Sequence, residues 1–143
     1  MDLKSKTVTV IGAARSGIAI AKAVLRLNGR VKISDHNSPE AIPQEFRSWI
    51  KDHKVLTEFG RHSESFIKDS DLLVLSPGVR KDAPAVRWAE DNHIPVWGEI
   101  EFAAKFCRQP IIAVTGSNGK TTTATLILDI LKAAGENVHL CGN

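Results

Sequence analysis

Thr7-Val8-Thr9-Val10-Ile11-Gly12-Ala13-Ala14-Arg15-Ser16-Gly17 sets a short β-branched run directly against a glycine-containing turn. A run of this kind reads as a buried strand. After the turn, residues 16–28 place Ile18, Ala21, Val24, Leu25 and Leu27 near one helical face. Asn28-Gly29 closes that helix, with Gly29 suited to the left-handed cap position. The alternating stretch 30–34 is a second strand. Thus a strand, a glycine turn, a helix and a strand follow in the order of a parallel βαβ unit.

The alternation continues outward. Residues 43–52 predict a helix, with Pro43 tolerated in its first turn. Residues 55–59 predict a short strand. Asp71-Leu72-Leu73-Val74-Leu75-Ser76 is a strand stopped by Pro77-Gly78. Residues 83–92 predict a helix and 94–97 a last short strand. The fold class is therefore α/β, a Rossmann-like parallel sheet over residues 1–97. Ligands of such sheets sit at the carboxyl ends of the strands. Gly12 to Gly17, Asp35 to Asn37 and Ser76 to Val79 all fall there.

The pattern then restarts. A boundary segment, 98–110, carries a helix over 98–106 and the linker Arg108-Gln109-Pro110. Ile111-Ile112-Ala113-Val114-Thr115 predicts a new apolar strand, residues 120–134 a helix capped by Gly135, and 137–140 the start of another strand. Residues 111–143 therefore read as the truncated start of a P-loop ATPase domain, too small to bury much of its own surface.

Between that strand and helix lies Gly116-Ser117-Asn118-Gly119-Lys120-Thr121. Glycines at 116 and 119 let successive backbone N–H groups turn toward an anion, and the helix N-terminus adds partial positive charge. Lys120 can reach the outer phosphates of ATP, and the Thr121 hydroxyl can ligate Mg2+. Lys120 and Thr121 are the candidate catalytic residues, Thr121 the candidate metal ligand, and Gly116, Ser117, Asn118, Gly119, Lys120, Thr121 and Thr122 the candidate ATP site. The match is to the short form Gly-x-x-Gly-Lys-Thr, since Val114 stands where the longer pattern has glycine.

The first turn, Gly12-Ala13-Ala14-Arg15-Ser16-Gly17, resembles the dinucleotide fingerprint, but Ala14 replaces the middle glycine that lets a pyrophosphate approach closely. Ser16 either caps the helix or bonds a phosphate. Asp35 either contacts a ribose or base, or caps its own turn. Ser76-Pro77-Gly78-Val79 is either a tight turn alone or a backbone contact for the same ligand.

Composition narrows the class. Hydrophobic residues at 43% and charged residues at 24% suit a packed globular chain. A net charge of +3 without a basic run offers no footprint for nucleic acid. No apolar run approaches the ~20 residues of a membrane helix. Cys107 and Cys141 match no zinc or redox spacing. These features lead to an expected cytoplasmic location with neither nucleic acid nor membrane as partner, and a monomer is expected.

In its motifs the chain resembles the Mur ligase family, and most closely its D-glutamate-adding branch. The markers are the glycine turn, Asp35, Ser76-Pro77-Gly78-Val79, Gly98-Glu99-Ile100-Glu101, Val114 to Thr123 around the phosphate loop, and the terminal Gly142-Asn143. The resemblance implies three domains: one for the UDP part of the substrate, a P-loop ATPase, and one for the incoming amino acid. It implies an ATP- and Mg2+-dependent ligase of peptidoglycan precursor synthesis, acting through an acyl phosphate. Its substrates would be UDP-N-acetylmuramoyl-L-alanine and D-glutamate. Carried over by position, Ser16 and Gly17 would meet the UDP phosphates, Asp35 and His36 the uracil and ribose, Gly78 the uridine, and Asn143 the muramoyl end. His36-Asn37 stands where relatives often have Thr-Arg. The family's remaining catalytic groups have no counterpart before Asn143, so the chain alone is expected to lack ligase activity.

Three rivals stand beside this reading: an NAD-dependent oxidoreductase built on residues 1–97, a non-catalytic nucleotide-binding module, and another Mur or folate-type ligase. Glu99 and Glu101 read as helix-dipole partners, and His53, His62, His93 and His139 as solvated or satisfied side chains. Trp49, Trp88 and Trp97 read as packing residues. Arg80 and Lys81, after the Ser-Pro-Gly turn, either face an anion or are ordinary surface charge.

Overall fold

The computed structural model describes residues 2–142. Its contacts divide the chain into two compact units between Cys107 and Arg108.

The first unit is a five-stranded, wholly parallel sheet in the order β3-β2-β1-β4-β5. Strand β1 is Thr7–Ile11, β2 Arg30–Asp35, β3 Leu56–Phe59, β4 Leu72–Leu75 and β5 Val96–Gly98. Helices α1 (Arg15–Arg26), α2 (Gln44–Asp52), α3 (Glu64–Ile67), α4 (Pro84–Asp91) and α5 (Glu99–Phe106) connect or follow them. Among the described residues, only α3 and a 3-10 turn at Pro39–Ala41 lie outside the elements expected from sequence. Both are too short to show a periodicity.

The central strands are buried on both faces, and their residues alternate between two cores. Val8, Val10, Val31, Ile33, Leu72 and Val74 pack on one side with Ile20, Ala21 and Val24 of α1, Phe46 of α2 and Phe102 of α5. Ile11, Leu73 and Leu75 pack on the other with Ile67 of α3 and Ala85, Val86 and Ala89 of α4. This double burial explains the continuous apolar runs. Phe102 is 3% exposed, so α5 is built into the first unit's core, and the segment 98–110 is not a free spacer along its whole length.

One local expectation changes. Asn28, not Gly29, takes the left-handed position after α1, with φ 59°. The N–H of Gly29 then reaches the carbonyl of Val24 at 2.9 Å, and that of Asn28 reaches Leu25 at 3.0 Å, closing a Schellman cap. Glycine is needed at 29 for space, since a Cβ there would stand 2.9 Å from Val24 Cγ1 and 3.1 Å from Leu3 Cβ.

In the second unit, α6 (Lys120–Ala133) forms as expected, but the strands expected at 111–115 and 137–140 do not. A helix satisfies its backbone from within its own segment, whereas a strand needs a neighbour. No partner strand stands beside either segment among the described residues. Ile111 and Ile112 are 57% and 61% exposed, and α6 buries none of its residues.

Candidate functional site

Strand order reverses direction between β1 and β4, so the crevice beyond their carboxyl ends is the switch point where ligands of such sheets bind. Two glycines build its floor. Gly12 follows β1 with φ 100°, and a Cβ there would lie 2.8 Å from Ser76 Oγ. Gly17 lies in the first turns of α1, where a Cβ would lie 1.9 Å from the Gly12 carbonyl oxygen. The helix therefore starts against the turn itself. Ser76 Oγ donates to the Gly12 carbonyl at 3.3 Å and ties the end of β4 to the same turn, a role no local pattern announces.

The N-cap of α1 is Ala14, and no side chain caps it. Ser16 is therefore not the cap; it lies inside the first turn, half-buried. The first helical bond is Ile18 N–H to the Ala14 carbonyl at 3.0 Å, so the N–H groups of Arg15, Ser16 and Gly17 precede the helical ladder and can serve an anion, whereas those of Gly12 and Ala13 are taken by Ser34 and Asp35. Ala14 itself is exposed, so its methyl fits where a dinucleotide fingerprint has glycine.

Asp35, at the end of β2, is 4% exposed and used by the chain itself. The Ala13 N–H donates to its Oδ2 at 2.5 Å. The Asn37 N–H and Nδ2 donate to its Oδ1 at 2.8 and 3.0 Å. The cap role and the site location thus coincide: Asp35 latches the glycine turn to the loop after β2. His36 is 77% exposed, with Nδ1 3.6 Å from Asp35 Oδ1. Gly78 is exposed in a turn closed by Val79 N–H to the Ser76 carbonyl at 2.9 Å, with nothing within 4 Å of a Cβ placed there. Arg80 is held in a fork by Asp82, both bonds 2.8 Å.

A polar cluster that the sequence did not single out adjoins Asp35. Ser34, fully buried, makes a 2.7 Å hydrogen bond with His62 Nδ1. The Ser63 N–H and hydroxyl donate to Glu58 at 2.8 and 2.6 Å. Burial pushes the His62 imidazole below its ordinary pKa, with Asp35 and Glu58 opposing and His36 reinforcing. Lys32, also buried, donates to the Phe66 carbonyl and lies 4.8 Å from the Phe66 ring centroid; burial lowers its pKa against the pull of Asp69 and Glu58. On this part of β2 the polar side chains meet α3 and the loop before it, Lys32 at Phe66 and Ser34 at His62.

In the second unit, Gly116 and Gly119 adopt φ 144° and 74°, conformations that favour glycine, around exposed Ser117 and Asn118. Gly119 is the N-cap of α6, and Thr123 N–H to the Gly119 carbonyl at 2.9 Å is its first bond. The N–H groups of Lys120, Thr121 and Thr122 precede that bond. Lys120 Nζ folds over the loop to the Gly116 carbonyl and lies 3.3 Å from that of Ser117. Thr121 and Thr122 are exposed at the helix start. Ungated N–H groups, a lysine over the loop and a free hydroxyl make a donor set that suits a nucleotide's phosphates and Mg2+. Asn143 lies outside the described residues. Those residues contain no cluster of His, Cys, Asp and Glu able to hold a metal, and no helix long and apolar enough to cross a membrane.

The chain is 43% identical over its whole length to the "UDP-N-acetylmuramoylalanine--D-glutamate ligase" of Koribacter versatilis, and 38% identical to that of Thermoanaerobacter pseudethanolicus. It spans 31% of the length of each. Among solved structures, a murein peptide ligase from Psychrobacter arcticus matches 92% of the chain with 27% of its own, at TM-score 0.63 and 21% identity, a likeness of fold. Residues 6–98 match the family model "Mur ligase MurD-like, N-terminal domain". That match spans most of the chain and covers the glycine turn, Asp35 and Gly78 together, and through it the chain belongs to the MurD-like Mur ligases.

Proposed function

We propose that this chain supplies the substrate-nucleotide domain and the opening of the ATP-binding domain of a cytoplasmic, monomeric ligase. The ligase adds D-glutamate to UDP-N-acetylmuramoyl-L-alanine in peptidoglycan precursor synthesis. The observation that carries this reading is similarity to D-glutamate ligases along the entire chain. The gathering of the glycine turn, Asp35 and the Ser76–Val79 turn at one switch point supports it. The oxidoreductase alternative is not favoured, because the family match occupies the same residues on which it would rest.

We assign the first unit to the UDP moiety. Free N–H groups at the start of α1, around Ser16 and Gly17, receive the diphosphate. Asp35, His36 and the Gly78 backbone border the uridine, and Asn143 the muramoyl end. The second unit is assigned to ATP and Mg2+. Gly116, Ser117, Asn118, Gly119 and Thr122 offer backbone donors, Lys120 a cation, and Thr121 a hydroxyl for the metal. Bound magnesium would neutralise phosphate charge. In the reaction, a carboxylate oxygen of the substrate attacks the γ-phosphorus and ADP departs. The amine of D-glutamate then attacks the acyl carbon and expels inorganic phosphate. Such chemistry needs positioned charge more than a protein nucleophile, which is why Lys120 and Thr121 carry it here.

Calorimetric titration of the chain with UDP-N-acetylmuramoyl-L-alanine, against NADH as control, tests the first assignment. Binding of the UDP compound alone is expected. Binding of NADH alone would return the chain to the oxidoreductase class. In the complete ligase, Lys120→Ala should cut D-glutamate-dependent phosphate release by roughly a hundredfold or more, the scale seen when one transition-state charge partner is removed.

A further inference from the structure

Hydrogen bonds at the switch point form a closed circuit running through the loop that follows β3. The Ser34 carbonyl accepts the Gly12 N–H at 2.8 Å. Asp35 accepts Ala13 and Asn37 N–H groups at 2.5 and 2.8 Å. The Asn37 carbonyl accepts the Gly60 N–H at 2.9 Å. Two residues later His62 Nδ1 meets Ser34 Oγ at 2.7 Å and returns the circuit to β2. Glu58 secures the next residue through both the N–H and the hydroxyl of Ser63. The only side-chain ring in this circuit is His62, whose centroid lies 6.4 Å from that of His36.

We propose that His62 is a positioning residue for the nucleotide end of the substrate: its bond to Ser34 clamps the loop 60–62 onto the Asp35–Asn37 turn. The clamp thereby holds the Asp35 carboxylate, the glycine turn and His36 in their binding arrangement. The inference rests on the assignment of the first unit to a UDP moiety.

Neutral imidazole is the form that serves. Ser34 has one hydroxyl hydrogen, and its alternative acceptors, the Arg61 carbonyl and Glu58 Oε2, lie at 3.3 and 3.4 Å. With neutral His62, either partner can donate across the 2.7 Å contact. Imidazolium can only donate, and it must carry its charge in a half-buried position. Asp35 and His36 at the end of β2, Glu58 on β3, and Arg61, whose Nε is 3.6 Å from Glu58 Oε1, are the charged or titratable groups around it. Burial outweighs the two carboxylates, so His62 stays neutral to lower pH than an ordinary histidine. Protonation then drives the ring toward water and releases the loop.

The test uses UDP-N-acetylglucosamine, whose diphosphate diester does not titrate between pH 5 and 8, with the 143-residue chain. Its affinity should weaken about three- to tenfold from pH 7.5 to pH 5, the equivalent of one hydrogen bond. His62→Gln retains an amide able to bond Ser34; it should bind like the parent at pH 7.5 and weaken less than the parent at pH 5. His62→Ala should bind about three- to tenfold more weakly than the parent at pH 7.5 and like it at pH 5. A pH profile in His62→Gln parallel to the parent's would overturn the proposal, as would undiminished binding by His62→Ala at pH 7.5. If the parent binds neither UDP-N-acetylglucosamine nor UDP-N-acetylmuramoyl-L-alanine, the nucleotide assignment fails. The clamp is then judged in the ligand-free protein: amide resonances of Ala13 and Asn37 should titrate with the His62 ring and stand still in His62→Gln. Resonances that ignore the His62 titration would dispose of the clamp.

Discussion

Replacing Gly17 with alanine should be among the most damaging conservative changes in the first unit. The new Cβ would stand 1.9 Å from the Gly12 carbonyl oxygen, 2.9 Å from the Gly12 carbonyl carbon and 3.1 Å from Ser76 Oγ. The obstacle is backbone, and that backbone is pinned: the Gly12 N–H bonds Ser34 at 2.8 Å and its carbonyl accepts Ser76 Oγ at 3.3 Å. Relief requires α1 to lift away from β1, separating Ile20, Ala21 and Val24 from the core they share with Val8 and Val10. Overpacking costs about 1–3 kcal/mol, and an obstacle of pinned backbone puts this site at about the upper end. For a unit of this size that lowers the melting temperature by roughly 10 °C or more. Thermal unfolding followed by circular dichroism at 222 nm measures it. Gly78→Ala is the control, since a Cβ there meets nothing within 4 Å and the melting temperature should barely move. A Gly17→Ala protein melting within about 2 °C of the parent would refute the close-approach argument, because it would mean a cost below ~1 kcal/mol.

Two other measurements probe separate parts of the fold. Phe102→Ala empties a 3% exposed site and should cost about 3–5 kcal/mol in denaturant unfolding; an effect below ~1 kcal/mol would mean that α5 is not part of the first unit's core. Asp71, bonded by Lys6 Nζ and by the Thr7 N–H at 2.8 Å each, has its carboxyl held below the ordinary 3.8, chiefly by Lys6. Its stabilisation is therefore present above that value and lost as pH falls through the lower folded-state pKa. The side chain is 36% exposed, so solvent screening limits the effect to about 1 kcal/mol or less. Asp71→Asn should be less stable than the parent at pH 7 and equal to it near pH 2; an unchanged gap at both would contradict this.

The arrangement of the first unit was legible because its signals are local. Strand, turn and helix periodicity in residues 7–28, the apolar run at 72–75 and the Pro77-Gly78 stop each state a conformation within a few residues. Parallel pairing follows from their alternation. The candidate location was legible for the same reason, since the unusual residues fall where strands end. The phosphate loop was legible as a string, and its helix formed.

Partnerships across distance decided the rest. Ser16 matches a helix cap in sequence, yet Ala14 takes that position, because Gly17 seats α1 hard against the Gly12 turn. Asp35 has a reader's choice of ligand or turn; only folding brings Ala13, twenty-two residues away, onto its Oδ2. His62 looks like one histidine among several until Ser34, twenty-eight residues earlier, is placed against it. Ile111 to Thr115 has the composition of a strand and none of its structure, because a strand exists only with a neighbour to take its hydrogen bonds. Sequence alone settled the conformations whose bonds close within a segment, namely helices, turns and glycine loops. Tertiary structure settled which particular groups pair across segments, because backbone and buried polar groups must be satisfied wherever the fold brings a partner to them.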